Sequence, residues 1–310
     1  MIRVAVVIVS YNTCALLRDC LTSLFRKTRM AADEFRVVVV DNASSDDSVR
    51  MVREEFPAVL CIEAGENLGF GRANNLGVER IVAECGEVKY LFFLNSDTLL
   101  LNDAVGRLAD FLDATPRAAA AGGNLYAADR VTPAQSFSPV HGLDWELLRL
   151  MPNAVKRRVW PPETWFNYGM EPIRVGYISG ADLMVRREAL GGRQPFDPDF
   201  FMYYEDVEIC VRLTRAGYEV WSVPDARIVH LGGQSCTVSR QKFERMQQAK
   251  YLYYDKTRGA AYSGWVYRLT QLGYRIHEWL GRMTGNAAKR DRYREWAEVN
   301  AQVWQARRRS

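Results

Sequence analysis

The sequence predicts an α/β protein with a mostly parallel sheet flanked by helices and a helical C-terminal extension. Three observations carry this. Short β-branched or aromatic runs alternate with helix-period segments through the N-terminal third, the rhythm of linked βαβ units. Three of the runs end in polar clusters: Ser10-Tyr11-Asn12, Asp41-Asn42 and Asn95-Ser96-Asp97. Beyond Gly232 and Gly233 the pattern turns helical and basic.

With 310 residues, 48% of them apolar and 25% charged, the chain has an ordinary globular composition and can build one large domain or two modest ones. Disordered, collagen-like and disulfide-scaffold classes are excluded. The longest charge-free stretch, Val4 to Leu17, carries Ser10, Asn12 and Thr13 in its middle, too short and too polar to cross a bilayer. The opening residues imitate a signal peptide, but the apolar run stops at Val9 and no small-residue cleavage site follows. They read as a first strand. The six cysteines include no CxxC pair, so a reducing, cytoplasmic setting is expected.

In chain order, strands are expected at Val4–Val9, Val37–Val40 and Tyr90–Leu94, with helices around Ala15–Phe25, Asp46–Glu55 and Arg72–Glu84 between them. Ser44 or Ser45 is placed to cap the second helix. A helix over Asp103–Ala114 stops at Pro116 and leads into a small-residue strand near Ala118–Gly122. From Tyr126 to Ile173 six prolines break any long element, leaving loops and short helices of the kind that wall a substrate site. Strands resume at Val175–Ile178 and Leu183–Val185. A helix over Glu205–Ala216 ends at Gly217, and two short strands, Glu219–Val223 and Arg227–His230, follow.

Ligands of an open parallel sheet bind beyond the carboxyl ends of its strands, where the three polar clusters would sit. A dinucleotide-dependent oxidoreductase needs GxGxxG after the first strand, and Ser10-Tyr11-Asn12-Thr13 cannot replace it. The loop from Gly65 to Arg72 lacks the ending of a nucleotide-hydrolysing P-loop, yet its glycines, arginine and following helix suit a phosphate.

VSYN, VVVVDNASSDDS, NLGFGRANN, FLNSDT, SGADLMVRR, FMYYEDVEICVRLTRAGY and IVHLGG together resemble the inverting glycosyltransferases of family 2, and among them bacterial rhamnosyltransferase-type members. The likeness runs from Val4 to Gly233. It implies the GT-A fold, Rossmann-like, in a catalytic domain over 1–235, with a donor-binding part over about 1–125 and an acceptor-side part over about 126–235. A basic, aromatic helical extension would occupy 236–310.

The resemblance further implies that Ser10, Tyr11, Asn12, Asp41 and the loop residues Asn67, Gly69, Arg72 and Asn74 hold the nucleoside and diphosphate of a sugar donor. The donor would be dTDP-rhamnose first, with UDP- or GDP-sugars as alternatives. A carboxylate such as Asp41 can accept the imide N–H of uracil or thymine; it could instead cap the following helix. The family's Asp-any-Asp metal motif stands here as Asn95-Ser96-Asp97. Asp97 would anchor a divalent cation, Mg²⁺ or Mn²⁺, that offsets the charge of a diphosphate leaving group, with Asn95 and Ser96 beside the donor. His230, at the end of an apolar run, would be a second ligand by the same likeness; without it, a lone histidine is more often structural than a ligand.

Glu205 and Asp206 begin a helix behind aromatic residues, where burial can lift a carboxyl pKa toward working pH. By resemblance Asp206 is the base that deprotonates the acceptor hydroxyl, and Glu205 supports it or steers the acceptor. The same pair also reads as ordinary first-turn helix charge. Gly180, Asp182 and Tyr204 are expected on the acceptor side.

From Arg240 onward 16 Lys/Arg face 6 Asp/Glu. An apolar stripe over Tyr262, Trp265, Val266, Leu269, Leu272, Ile276, Trp279 and Leu280 would suit a helix lying on an anionic membrane, next to a polyprenyl-linked glycan acceptor. It would equally suit packing on the catalytic domain or a homodimer. Nucleic acid is not an expected partner, because it would leave Asp97, Asp206 and His230 without a role. A membrane-associated nucleotide-sugar-binding or scaffolding protein without turnover is the rival to a glycosyltransferase.

Overall fold

A computed structural model describes residues 1–140, 142–151, 153–232 and 239–307. The chain divides into two compact units, one over Met1–Val140, Glu163–Phe201 and Glu205–Gln234, the other over His141–Pro162, Met202–Tyr204 and Ser235–Ser310.

The first unit opens with β1 (Ile2–Ser10), α1 (Cys14–Lys27), β2 (Phe35–Asp41), α2 (Ser48–Glu55), β3 (Leu60–Glu63), α3 (Gly69–Cys85) and β4 (Val88–Asn95). It continues through β5 (Thr98–Leu100), α4 (Ala104–Ala114), β6 (Ala118–Tyr126) and β7 (Phe137–Ser138). Among the described residues the main sheet runs β3-β2-β1-β4-β10-β6-β11-β5, with β10 at Asp182–Arg186 and β11 at Glu219–His230. A short β8 (Ile173–Arg174) joins it by pairing with β11, and β9 (Tyr177–Ile178) pairs with β7 in a separate ribbon. β3, β2, β1 and β4 are parallel, whereas β10 runs antiparallel to both β4 and β6.

Burial on both faces explains why the strands are continuous β-branched runs rather than alternating ones. Val4, Ala5, Val6, Val7 and Ile8 are wholly buried, as are Leu91, Phe92 and Phe93 on β4. Registers align the polar ends: Ser10 pairs with Asp41, and Val9 with Asn95. The three clusters therefore meet at one edge of the sheet, as expected.

Differences from the sequence reading have local causes. The two strands expected near the end of the unit are one, β11, with a register shift between Ser222 and Arg227. β3 and β5, each under five residues, are too short for a periodic signal. The cap of α2 is neither Ser44 nor Ser45. Asp47 occupies the cap position without a side-chain cap bond, and Asp46 before it braces the helix start, its Oδ1 accepting the Ser48 N–H at 3.1 Å and hydroxyl at 2.5 Å, while its Oδ2 takes the Cys14 N–H at 2.9 Å. Cys14, Cys20, Cys61, Cys85 and Cys210 are free thiols; Cys236 lies outside the described residues.

The second unit holds α5 (Leu143–Leu150), α6 (Asn153–Val159), α8 (Arg240–Arg258), α9 (Ala260–Met283) and α10 (Ala287–Arg307). The remaining helix, α7 (Glu205–Arg215), belongs to the first. Residues expected on the acceptor side, 143–159, thus group with the C-terminal helices. The interior of this unit carries a buried ion pair, Lys250 Nζ to Glu146 Oε1 at 3.5 Å, and Thr270 bonds both partners at 2.9 Å. No helix among the described residues is long and apolar enough to cross a membrane.

Candidate active site

Each strand end delivers one group. After β1 the chain turns at Asn12, whose φ of 55° is left-handed, a conformation asparagine tolerates. Asn12 donates its N–H to Ser44 Oγ at 2.9 Å and accepts the Ser45 N–H at 2.7 Å, which ties the loops after β1 and β2 together. Tyr11 beside it is half exposed.

Asp41, at the end of β2, is 3% exposed. Its Oδ2 accepts the Ser44 N–H at 2.9 Å, while its buried Oδ1 has no hydrogen-bond partner. Asp41 borders a cleft of about 620 Å³ shared with Ser44, Asp46, Arg50, Arg53 and Gly65. A buried acceptor left over at a cleft wall is costly unless a ligand donor completes it.

The loop before α3 differs from expectation. Asn42 Oδ1 accepts the Leu68 N–H at 2.8 Å, Asn67 Oδ1 accepts the Gly69 N–H at 3.0 Å, and the Phe201 carbonyl accepts the Phe70 N–H at 2.8 Å. These helix-start donors are already engaged, so Asn67 and Gly69 organise the loop rather than offer it to phosphate. Gly69 has φ +78°, and a Cβ there would sit 2.2 Å from the Phe201 carbonyl oxygen. Asn74 is wholly buried and its Nδ2 donates to the Phe70 carbonyl in its own helix, so it has no path to a diphosphate. Arg72 remains exposed, held by its Nε bond to the Pro198 carbonyl at 2.6 Å. Ser10 is also wholly buried; it bonds Thr13, which donates to Ser96 Oγ at 3.1 Å, and supports the site from beneath. Asn42 and Thr13 were missed because nothing in their spacing distinguishes a loop-pinning side chain from a solvated one.

Asp97 and His230 do converge. Antiparallel pairing of β5 with β11 puts His230 opposite Thr98, and the Leu231 N–H donates to the Asp97 carbonyl at 2.9 Å. His230 Nε2 lies 3.4 Å from Asp97 Oδ1 and 3.3 Å from Asn95 Nδ2. Gly232 closes over them: a Cβ there would be 2.7 Å from His230 Nε2 and 3.2 Å from Asp97 Oδ2.

The acidic pair is joined to this group by backbone. The Asn95 N–H donates to the Ala181 carbonyl at 3.0 Å, and the adjacent Gly180 N–H donates to Asp206 Oδ2 at 3.0 Å. Asp206 Oδ1 accepts the Val207 N–H at 2.8 Å. Gly180 therefore positions Asp206 directly. Burial raises the pKa of both acids; that of Glu205 is pushed from 4.5 to about 8 by burial and then by the charge of Asp206. Backbone donors favour the ionised form of Asp206, whereas Glu205 Oε2 is buried without a partner. Within the pair, the donors at Asp206 and their absence at Glu205 Oε2 favour Glu205 as the site of a shared proton.

Asp182 does not face an acceptor pocket. It is wholly buried, its Oδ2 accepts the Gly123 N–H at 2.6 Å, and burial raises its pKa well above the usual range. It opens β10, a strand buried on both faces between β4 and β6. Tyr204 belongs to the second unit, its ring 5.4 Å from that of Tyr253. Tyr203 and Tyr204 both have left-handed φ, 74° and 67°, a strained turn directly before α7 that composition does not announce.

The model of glycosyl transferase family 2 matches residues 5–190. An N-acetylglucosaminyl-diphospho-decaprenol L-rhamnosyltransferase of Mycobacterium tuberculosis is 30% identical over 248 residues, 73% of this chain and 75% of that protein. A dTDP-rhamnosyl transferase of Shigella flexneri, RfbF, is 25% identical across 66% of this chain and 63% of its own. Among solved structures, a mannosyltransferase from Pyrobaculum calidifontis in complex with GDP-Man and Mn²⁺ superposes with a TM-score of 0.59 at 17% identity, over 97% of this chain and 84% of that one. The mixed sheet with polar ends on its parallel strands, the family match over more than half of the chain and these rhamnosyltransferase relatives agree, and the chain belongs to glycosyl transferase family 2 as a glycosyltransferase of the GT-A fold.

Proposed function

We propose that this enzyme transfers L-rhamnose from dTDP-rhamnose to a lipid-linked glycan, with inversion, using Asp206 as base. The observation that carries the reading is the asymmetry of the acidic pair: Asp206 is aimed by the Gly180 and Val207 N–H groups, which favour its ionised form, while Glu205 Oε2 is buried without a donor. The rhamnosyl donor and lipid-linked acceptor are supported by the names of the relatives.

In the reaction the acceptor hydroxyl gives its proton to Asp206 as its oxygen bonds the anomeric carbon. The bond from that carbon to the diphosphate oxygen breaks, and the nucleoside diphosphate leaves with the electron pair. General-base assistance of this kind contributes about 10²–10⁴ in rate. Asp41 would receive the imide N–H of the pyrimidine on its partnerless Oδ1. Asn95, Ser96, Tyr11 and Arg72 complete the donor side in this reading.

The donor set suits a divalent cation. Asp97 Oδ1 and His230 Nε2 are 3.4 Å apart, an oxygen and an imidazole nitrogen that could share one ion. Among the described residues no group of three or more His, Cys, Asp or Glu gathers for a metal, so diphosphate oxygens and water would fill the other positions, as is usual for Mg²⁺. Such an ion supplies charge neutralisation at the departing diphosphate.

The test is Asp206→Asn, assayed by dTDP release from dTDP-rhamnose with a lipid-linked acceptor, beside UDP- and GDP-sugar controls. Transfer should fall by about 10²–10⁴. The melting-temperature rise given by dTDP-rhamnose should persist, because donor binding stabilises the native state by mass action. Full activity of the variant would overturn the base assignment; preference for another nucleotide-sugar would overturn the donor.

A further inference from the structure

We propose that the outward face of α9 is a docking surface for an anionic lipid bilayer. The inference rests on the lipid-linked acceptor of the proposed function and identifies the residues that would bring the enzyme to it.

The residues α9 buries are Ser263, Val266, Thr270, Gly273, Tyr274, Glu278 and Gly281. Of the apolar stripe that could equally lie on a membrane or pack, only Val266 is among them. Small residues bring the neighbouring helices close: a Cβ at Gly273 would lie 2.8 Å from Leu150 Cδ2, and one at Gly281 would lie 2.7 Å from the Arg290 nitrogen. Tyr262, Leu269, Ile276 and Leu280 are partly buried, but four large apolar side chains face solvent, with Trp265 55%, Leu272 50%, Trp279 57% and Met283 68% exposed.

The spacing makes these residues a surface. Trp265, Leu272 and Trp279 recur every seven residues and Met283 follows one turn later, so all four share one side of the helix. Arg268, Arg275 and Arg282 recur at the same interval and form a rail along one flank of it; Arg268 covers the Trp265 ring at 4.8 Å. The helix has one acid, Glu278, which is 4% exposed and is shared by Arg275, Arg282 and Arg294. Positive charge therefore exceeds negative along the exposed face. Interfacial tryptophans over an arginine rail match a helix lying at the headgroup level of an acidic membrane. A second copy fits less well, since α9 against α9 about a twofold axis would oppose the arginines with no exposed carboxylate from that helix.

The experiment is co-sedimentation of the full chain with phosphatidylcholine vesicles, with and without phosphatidylglycerol, alongside sedimentation equilibrium without lipid. Binding is expected only with phosphatidylglycerol and should weaken as salt rises. Arg268→Gln should lower affinity about fivefold, the effect of one basic residue at such a surface. Trp265→Ala/Trp279→Ala should abolish binding with an unchanged melting temperature, because both rings are exposed. Equal binding to neutral vesicles, no binding, or a dimer that the double variant dissociates would overturn the proposal. Transfer to a water-soluble acceptor separates the two claims: its survival without vesicle binding condemns only the docking surface, and its loss with binding intact condemns only the proposed reaction.

Discussion

Replacing Glu205 by Gln tests the electrostatics of the site through stability rather than rate. Glu205 is 6% exposed and its pKa is raised from 4.5 to about 8. Between those values the folded protein keeps a proton that the unfolded chain has released, so stability falls as pH rises through that window. At about 1.4 kcal/mol per pH unit the loss reaches roughly 3 kcal/mol at pH 7 and roughly 5 kcal/mol above pH 8. Glutamine has the shape of the protonated acid and never ionises. Urea unfolding of both proteins at pH 5, 6, 7 and 8 should show the variant gaining on the parent by about that slope per unit. Asp206→Asn removes the neighbouring charge, so its stability should depend on pH less steeply than the parent's and level off below pH 8. Parallel pH dependences of parent and Glu205→Gln would refute the placement of the proton.

Asp206 is raised from its ordinary value of 3.8 by burial, so the acid limb of kcat/KM in the parent should lie above that value. Asp97→Asn and His230→Ala should each raise the Mg²⁺ or Mn²⁺ concentration needed for half-maximal transfer by at least the 10–100-fold typical of losing even an outer metal partner. An unchanged metal titration would remove the residue from the cation site. Gly69→Ala must hold a side chain at φ +78° with its Cβ 2.2 Å from the Phe201 carbonyl; it should lose more than about 2 kcal/mol in chemical unfolding.

Much of the fold was legible because the chain encodes it locally. Val4–Val9 and Tyr90–Leu94 are apolar on both faces and therefore central, and the polar residues after them had to lie at the strand ends. Asp97, Asp206 and His230 stood out through the family resemblance, since a strand-end turn, first-turn helix charge and a structural histidine explain the same residues locally. Illegible were the residues that act by what they touch. Asn67, Gly69 and Asn74 look like a phosphate loop, but the donors there are taken up: Asn67 Oδ1 accepts from Asn42 and from the Gly69 N–H, and Asn74 Nδ2 donates to the Phe70 carbonyl.

Sequence alone determined the family, the alternation of strand and helix through the N-terminal half and the residue types available for the chemistry, since periodicity and motif spacing are properties of neighbours along the chain. Tertiary structure alone decided which of those groups is free. Whether Asp182 meets solvent or Gly123, which of Glu205 and Asp206 receives the Gly180 donor, and whether α9 turns its glycines or its tryptophans inward depend on burial and hydrogen-bond partners contributed by distant segments.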